Sequence, residues 1–564
     1  MKKKALSLLS VLAVTCTLSS CLFIRHPNIF ISGNDNSSHA PSGKDIAYKT
    51  PNYTSEYSTD NRTLDNIGIG RGYRYLPSSG NRKILVVPID TTDHEFTSKQ
   101  VQNINTAFFG TSEENGWESV ASFYEKSSYG KLHITGEVTP VVHTNKTSSE
   151  LSATAKTYLN NNKQWTDYLL KDILSTLVQN GYDLSEYDTN DDGYLDAIWM
   201  VYSVPYDQSS DLYWAYTTWV DDTSANKFNG KKACLYSWAS YGFINQNYGL
   251  NDFRNPYIDS HTYIHETGHR LGLDDYYSYD YRKKNSDGST NYDTPIGGLD
   301  RMDRNILDHD VFSKYLLGWN KPRVVTKDYL SANNNKLTLN AYQNNGDALL
   351  IPIYKDGSMD YNGTPFDEYL LLEYYTPTNL NQQDATTQYY TAPRGFSQNG
   401  VLCFHVDARI GKLIPNKDVF LIPDRRAILI PNKDGSPIWN EEVYDKIQKP
   451  NSDWGRRYLY TFLYSNTFSY SYDQSRDDSS LHYYRGRLIS LRPANGQRIN
   501  GRAVRVGNTI KYDYADNTSL FTSINKSFEA NYSDFAFDDG TKASYSFQVV
   551  STSNSSCNIE FTEL

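Results

Sequence analysis

The sequence predicts an α+β fold for this chain of 564 residues, and three observations lead to it. A continuous apolar run at 83–89 is typical of a buried strand. Apolar residues at helical spacing follow at 118–127 and 164–179, so strands and helices are mixed in the first half. Beyond about residue 325, helical periodicity fades. Short alternating runs separated by Asn-Gly and Asp-Gly turns then predict a β-rich second half.

The individual elements follow in chain order. In the first half, the pattern predicts strands at 83–89, 132–138 and 197–204 and helices at 118–127 and 164–179. A further helix begins near Asp259 or Ser260, either of which can cap it, and another spans 310–317 before Gly318. In the second half, strands are predicted at 336–339, 348–354, 369–374, 400–406 and 545–550.

The helix that begins near residue 260 carries the most informative motif of the chain. His265 and His269 are four residues apart, so both imidazoles can face a single ion. Glu266 can hold a metal-bound water without binding the metal itself. Gly272 allows a sharp turn with positive φ, after which Asp275 can return as a third ligand. Two imidazoles, a carboxylate and a neighbouring general base are typical of zinc peptidases.

Other readings of this region carry less weight. An amphipathic helix with two solvated histidines explains a bare HExxH motif, but not the glycine and acid that follow. Asp274 is an alternative ligand to Asp275, although the spacing favours Asp275. His261 lacks the downstream glycine and acid, and we interpret it as a residue at the helix start or behind the ligands. His309 and His405 have no partner at ligand spacing and are interpreted as structural.

A second candidate metal site is an acidic loop at 188–196. Oxygen atoms recur at alternate positions around a glycine at the sixth, as in calcium loops. The candidate ligands are the side chains of Asp188, Asn190, Asp192 and Asp196 and the carbonyl of Tyr194. The loop departs from an EF-hand because Trp199 occupies the twelfth position and a strand follows. We predict a structural calcium site, with an ordinary acidic turn as the alternative.

The N-terminal residues predict export. Three lysines and an apolar stretch precede Leu18-Ser19-Ser20-Cys21, which resembles a bacterial lipobox with Cys21 as the acylated residue. A secretory signal peptide that happens to contain Cys21 is the alternative. Acyl chains on one residue would hold the protein at a membrane surface. No second apolar stretch in the sequence is long enough to span a bilayer.

Composition excludes two classes of protein. The net charge is −10 and no basic block is present, so nucleic acid is not an expected partner. After the signal and Cys21, only Cys234, Cys403 and Cys557 remain, which is no disulfide framework. Buried single thiols are the favoured interpretation, with one disulfide as the alternative. The 48 tyrosines fit β-structure and leave a glycan as a candidate contact of the C-terminal region.

Several segments together resemble the immune inhibitor A family of exported bacterial zinc metallopeptidases. The resemblance covers roughly 81–410 and is strongest at the zinc motif 265–277. The other similar segments are the acidic loop 188–196, the Ser-Tyr-Gly-Lys turn within 119–138, the stretch 297–303 and the helix 313–319. At 297–303, Leu299 stands where the family usually has an aromatic residue. The resemblance implies a zincin-like fold, zinc on His265, His269 and Asp275, Glu266 as base, and Met302 as a hydrophobic floor.

These expectations combine into one hypothesis. We predict a lipoprotein signal peptide at 1–20, a tether or pro-segment at 21–80, a zincin-like catalytic domain at 81–325, and β-rich, sandwich-like regions at 326–470 and 471–564. The predicted function is a lipid-anchored cell-surface endopeptidase that uses zinc to hydrolyse extracellular proteins. Alternatives are a surface adhesin or glycan-binding lipoprotein, and a metallohydrolase with a substrate other than peptides.

Overall fold

A computed structural model describes most of the chain after residue 73. The described ranges are 74–160, 165–206, 211–220, 226–244, 258–277, 294–355, 357–389, 392–408, 488–496, 514–524 and 542–564, with Leu64, Phe537 and short strands between 410 and 512. Cys21, the predicted signal peptide and most of the predicted tether lie outside these ranges.

Six strands of the first half form one mixed sheet. They are β1 (Gly80–Asp90), β2 (Leu132–Val138), β3 (Val142–His143), β4 (Ile198–Tyr202), β5 (Tyr216–Trp219) and β6 (Leu235–Ser240). The main order is β2-β1-β4-β6-β5, with β3 paired to the end of β1. Strands β2, β1, β4 and β6 run parallel, whereas β5 is antiparallel at the edge. The predicted strands at 83–89, 132–138 and 197–204 are confirmed as β1, β2 and β4.

Eight helices accompany this sheet in the described part of the first half. They are α1 (Ser98–Phe109), α2 (Ser112–Asn115), α3 (Val120–Ser127), α4 (Ser148–Leu159), α5 (Trp165–Gln179), α6 (His261–Arg270), α7 (Arg301–Arg304) and α8 (Val311–Leu316). The predicted helices at 118–127, 164–179 and 310–317 are confirmed as α3, α5 and α8. Sequence reasoning missed α1 and α4. Both begin with a capping box, Thr97 with Gln100 and Thr147 with Glu150, and that pattern could have located them.

Strands β1, β4 and β6 of the first sheet are buried on both faces over most of their length, which explains the continuous apolar runs of β1 and β4. Along β1, Ile84 and Val86 point into a core shared with α1, α3 and α6. Leu85 and Val87 point the other way, into a core shared with α5. The sheet therefore separates a layer containing the motif helix α6 from a layer containing α5.

The second half contributes a second sheet and a third. Its strands are β7 (Arg323–Val324), β8 (Lys336–Asn340), β9 (Ala348–Lys355), β10 (Ser358–Asp360), β11 (Glu368–Tyr375), β12 (Gly400–Asp407), β13 (Ile410–Ile414), β14 (Val419–Leu421), β15 (Ile428–Leu429), β16 (Thr461–Phe462), β17 (Ile489–Leu491), β18 (Ala503–Val506), β19 (Thr509–Tyr512), β20 (Tyr545–Thr552) and β21 (Ser556–Glu563). The second sheet has the order β10-β9-β11-β12-β17, with β7 beside β9, and the third has the order β20-β21-β8. All five predicted strands of this half are confirmed. Three short helices, α9 (Lys327–Ala332), α10 (Tyr342–Asn345) and α11 (Gln382–Thr386), were not predicted.

The second sheet connects the two halves of the molecule. Along β11, Tyr369 and Leu371 pack into the core that contains α3 and α6. Leu370 and Leu372 pack into another core, shared with β8, β20 and β21. Strand β8 also pairs with β21, so strands on both sides of the predicted boundary at residue 470 form one sheet.

The described residues form a mixed α/β structure with 11 helices and several sheets, compatible with the predicted α+β class. None of these helices has the length and apolarity needed to cross a membrane. Cys234, Cys403 and Cys557 are buried and form no disulfide with one another, which confirms the interpretation as single thiols.

Candidate metal centre

The motif helix α6 is buried along its whole length. Its N-terminal backbone is held by Asp259, which accepts a hydrogen bond from the amide of His261 at 3.0 Å. Ser260, the other predicted cap, makes no capping hydrogen bond with its side chain. Farther along, the Tyr124 hydroxyl donates to the carbonyl of Ile264 at 2.7 Å. These contacts fix the helix on both sides of the motif.

The three predicted zinc ligands converge at one point. Ligand atoms of His265, His269 and Asp275 all lie within 4.8 Å of one another, and all three side chains are buried. Asp275 Oδ1 is 3.0 Å from Nε2 of His265 and 3.4 Å from Nε2 of His269. This is the single group among the described residues with the chemistry and spacing of a metal site.

The far nitrogen of each imidazole is anchored to a backbone carbonyl. His265 Nδ1 donates to the carbonyl of Arg301 at 2.6 Å, and His269 Nδ1 donates to that of Leu273 at 2.8 Å. A carbonyl can only accept, so each Nδ1 carries a proton, and Nε2 is the ring nitrogen that faces Asp275. A hydrogen bond behind the ligand fixes ring orientation and tautomer in metal sites.

The charge balance of the group fits a cation. Both carboxylate oxygens of Asp275 are buried without a hydrogen bond of good geometry. Burial lowers the pKa of His269, but the charge and hydrogen bond of Asp275, with the charge of Glu266 and the bond to Leu273, together outweigh burial and raise that pKa to about 9. Two imidazoles and a carboxylate suit zinc, which prefers four ligands and accepts nitrogen and oxygen.

Glu266 is not part of this ligand group, but it is near enough for its charge to help raise the pKa of His269. Its carboxylate is buried, and the Thr217 hydroxyl donates to Oε2 at 3.1 Å. The same hydroxyl is 3.1 Å from the backbone carbonyl of Glu266. Thr217 belongs to β5, so the antiparallel edge strand positions the predicted base.

The turn after the helix has the geometry that the motif predicted. Gly272 has φ +96, a conformation that side chains with a Cβ rarely adopt. A Cβ on Gly272 would also lie 2.9 Å from the ring of Tyr75. Backbone conformation and steric contact therefore both exclude a side chain at this position. The turn brings Asp275 into the ligand group, whereas Asp274 does not join it.

Met302 lies against the motif helix. Gly268 lies between the two histidines in sequence, and a Cβ there would come within 2.5 Å of the Met302 sulfur. Only glycine therefore leaves room for the Met302 side chain. The carbonyl of Met302 accepts a hydrogen bond from the amide of Tyr276 at 2.8 Å. Met302 therefore packs against the motif helix at Gly268, and its role as a hydrophobic floor under the ligands stays a prediction.

The other histidines do not join the ligand group. His261 begins α6, with its Nδ1 2.8 Å from Asp259 and its Nε2 3.3 Å from Asp384. His309 is buried between aromatic rings, and burial drives its pKa well below the ordinary value. His405 packs in the second half, where its Nε2 lies 3.0 Å from Glu368.

The side-chain oxygens of the acidic loop accept hydrogen bonds from the backbone amides of the same loop. Asp188 accepts hydrogen bonds from the amides of Asp192 and Gly193, both at 3.0 Å, and its Oδ2 lies 2.7 Å from Lys231 Nζ. Asp196 accepts from the amide of Thr189 at 3.0 Å. Asn190 and Asp192 accept from amides within the loop, and Tyr194 forms an isolated bridge with Lys232. The carboxylates of this loop do not form a convergent ligand group among the described residues, and calcium stays a prediction.

Sequence reasoning missed three contributors to the centre: Thr217, the carbonyl of Arg301 and the carbonyl of Leu273. Thr217 is 49 residues from Glu266, and Arg301 is 36 residues from His265. No local spacing signals such contacts. Leu273 lies inside the motif, and its carbonyl follows from the turn at Gly272. Arg270, also missed, donates from its guanidinium to the carbonyl of Asp196 and so links α6 to the acidic loop.

No protein-family model matches this chain, and no curated protein matches it. The assignment of the centre therefore depends on its residues and their geometry.

Proposed function

We propose that the protein is a zinc-dependent endopeptidase of the immune inhibitor A type, exported and lipid-anchored through Cys21, which hydrolyses extracellular proteins. The observation that carries the proposal is the convergence of His265, His269 and Asp275, with the carboxylate of Glu266 beside them. A binding module has no need of a buried base next to a ligand group. That favours the enzyme over an adhesin.

The fold supports the same proposal. The mixed sheet with its antiparallel edge strand next to α6 is the arrangement we expect of a zincin-like domain. The second and third sheets share one core, as a sandwich-like region would. The acidic loop remains a candidate structural calcium site in this proposal, on Asp188, Asn190, Asp192, Tyr194 and Asp196.

The residues divide the chemical work. Zinc, when bound by the two imidazoles and Asp275, would supply Lewis acidity and a water of lowered pKa. Glu266 takes the proton of the attacking water on its carboxylate and delivers it to the nitrogen of the departing amine. Thr217 holds that carboxylate in place through its hydrogen bond to Oε2. The anchored Nδ1 atoms prevent His265 and His269 from rotating during the reaction.

The test is cleavage of a quenched peptide library by residues 22–564, with zinc content measured in parallel. We expect Glu266→Gln to lose activity by about 10²–10⁴-fold while keeping its zinc, because the general base is lost and the ligands remain. Glu95→Gln changes an exposed glutamate and is the matched control. His269→Ala should lose both zinc and activity.

Near-normal cleavage by Glu266→Gln would refute the assignment of the base, and zinc-free activity would refute the metallopeptidase. If the wild type binds zinc but cleaves nothing, a shorter chain trimmed within residues 22–80 should be assayed next. Only an inactive trimmed chain would favour the adhesin alternative.

A further inference from the structure

Residues 74–79, which the sequence groups with the predicted tether, pack against the end of the motif helix, and we call them the N-terminal strap. The amide of Leu76 donates to the carbonyl of Arg270, the last residue of α6, at 2.8 Å. Leu76 is fully buried in the core that contains α6. A carbonyl in the last turn of a helix has no partner within that helix, so the strap supplies the missing donor.

Further contacts hold both ends of the strap. At its start, the amide of Arg74 donates to Cys234 Sγ at 3.2 Å. At its end, the Ser78 hydroxyl donates to the carbonyl of Leu317 at 2.9 Å, and the carbonyl of Ser78 accepts from Trp319 Nε1 at 2.7 Å. The strap is therefore fixed beside the start of β6 and to the segment that follows α8.

The ring of Tyr75 lies against the turn that follows the motif helix. A Cβ on Gly272 would be 2.9 Å from two carbons of this ring, so the ring occupies the space that a side chain at Gly272 would need. Tyr75 also packs against Cys234 and Leu235. The ring therefore contacts both the turn and the start of β6, and it is held in the middle of a strap whose two ends are fixed.

Two of the three predicted ligands depend on this turn. The carbonyl of Leu273 accepts the hydrogen bond from His269 Nδ1 at 2.8 Å, and Asp275 follows two residues later. The amide of Leu273 donates to the carbonyl of Gly268 at 3.1 Å, which keeps the turn close to the helix. A displacement of the turn would move both the anchor of His269 and the carboxylate of Asp275.

We propose that Tyr75 is a positioning residue of the zinc centre, and that the N-terminal strap holds the turn on which His269 and Asp275 depend. The inference rests on the proposed zinc site and extends it to a segment that precedes the first strand. The Tyr75 ring limits the turn at Gly272 to the conformation in which Asp275 meets the two imidazoles. Without the ring, a gap opens beside a glycine that has no side chain to fill it, and the turn can move away from the ligand position.

The test is the zinc affinity of residues 22–564, measured by competition with a chromogenic chelator. We expect Tyr75→Ala to weaken zinc binding by about 10–100-fold, as is typical when groups that orient metal ligands are lost. The visible absorption of bound Co²⁺ should change as well, because it depends on coordination geometry. Tyr75→Phe keeps the ring and should match the wild type in both measurements. Tyr75→Leu keeps an apolar side chain against Leu235 and replaces Tyr75→Ala if that variant does not fold, with a smaller loss of affinity expected.

The matched control is Tyr182→Ala, which removes a partly buried tyrosine from the core that contains α5. Its zinc affinity should equal that of the wild type. The unfolding temperatures of the metal-free proteins are measured in parallel. Weaker zinc binding by Tyr75→Ala, at a metal-free unfolding temperature no lower than that of Tyr182→Ala, supports positioning over general stability.

Unchanged zinc affinity and Co²⁺ absorption in Tyr75→Ala would overturn the proposal and leave the zinc site in place. Equal weakening in Tyr182→Ala would show that stability controls the affinity, and equal weakening in Tyr75→Phe would exclude the ring as the cause. Absence of zinc binding by the wild type is a different result, because it would refute the zinc site and the proposed function together.

Discussion

The zinc-motif group and the acidic loop are both rich in candidate ligands, yet their polar atoms are used in opposite ways. In the first, Asp275 has two buried oxygens without a good hydrogen bond, and the imidazole Nε2 atoms face it. In the second, the carboxylates of Asp188 and Asp196 accept from backbone amides, and Lys231 contacts Asp188. A buried carboxylate without a good hydrogen bond, facing two imidazoles, indicates a built metal site more strongly than a count of acidic residues does.

The largest expected effect comes from removing zinc. A ligand that binds only the folded state at about a thousand times its Kd adds about 4 kcal/mol to the free energy of unfolding. A zinc-selective chelator should therefore lower the unfolding temperature of the wild type strongly. The unfolding temperature of His269→Ala should not respond, because the site is already broken. The measurement is calorimetry of both proteins. An equal fall in unfolding temperature in both would show that the chelator does not act through zinc at His269.

An effect of comparable size is expected at the start of the same helix, where the buried side chain of His261 has partners on both ring nitrogens. His261 lies between the rings of Trp117 and Tyr389, each 4.1 Å away between centroids. Burial lowers its pKa, but Asp259 and Asp384 outweigh burial and raise the pKa above 6.5. The protonated ion pairs therefore stabilise the fold fully below pH 6.5, and the stabilisation is lost as pH rises through the folded-state pKa.

His261→Phe keeps the stacked ring and removes the charge. Breaking buried ion pairs costs about 3–5 kcal/mol, so we expect a loss of this order at pH 6 and a smaller loss at higher pH. The measurement is urea unfolding of both proteins across this range. A difference that stays constant with pH would show that His261 contributes through packing alone.

The smallest effect is expected at the acidic loop. Weak extracellular calcium sites have Kd of roughly 10⁻⁴–10⁻³ M, so millimolar calcium should add only about 0.4–1.4 kcal/mol. Lys231→Met should enlarge the calcium response, because the ammonium no longer competes at Asp188. Lys227→Met changes an exposed lysine nearby and is the control. The same response in all three proteins would mean that calcium does not bind at Asp188.

Local spacing accounts for what the sequence predicted at the centre. His265, His269 and Asp275 lie within one helix and one turn, so their convergence follows from helical geometry and the positive φ of Gly272. Thr217 comes from another strand, and its contact with Glu266 depends on how the sheet packs on α6. Tertiary contacts of this kind carry no periodic signal in a single sequence.

The same reasoning explains the fold. Strands β1 and β4 were found because burial on both faces makes them continuously apolar, whereas β11 was found as one of the short alternating runs of the second half. The amphipathic helices α1 and α4 have few apolar residues, and their capping boxes were the stronger signal. The pairing of β8 with β21 could not be predicted, since it joins segments that are remote in sequence.

That pairing sets an order of events during synthesis. Thr338 of β8 and its partner Asn558 of β21 are 220 residues apart. Until β20 and β21 leave the ribosome, the face of the second sheet that contains Leu370 and Leu372 stays uncovered. An exposed apolar surface of this kind promotes aggregation. The nascent chain therefore needs β20 and β21 to complete the burial of this core.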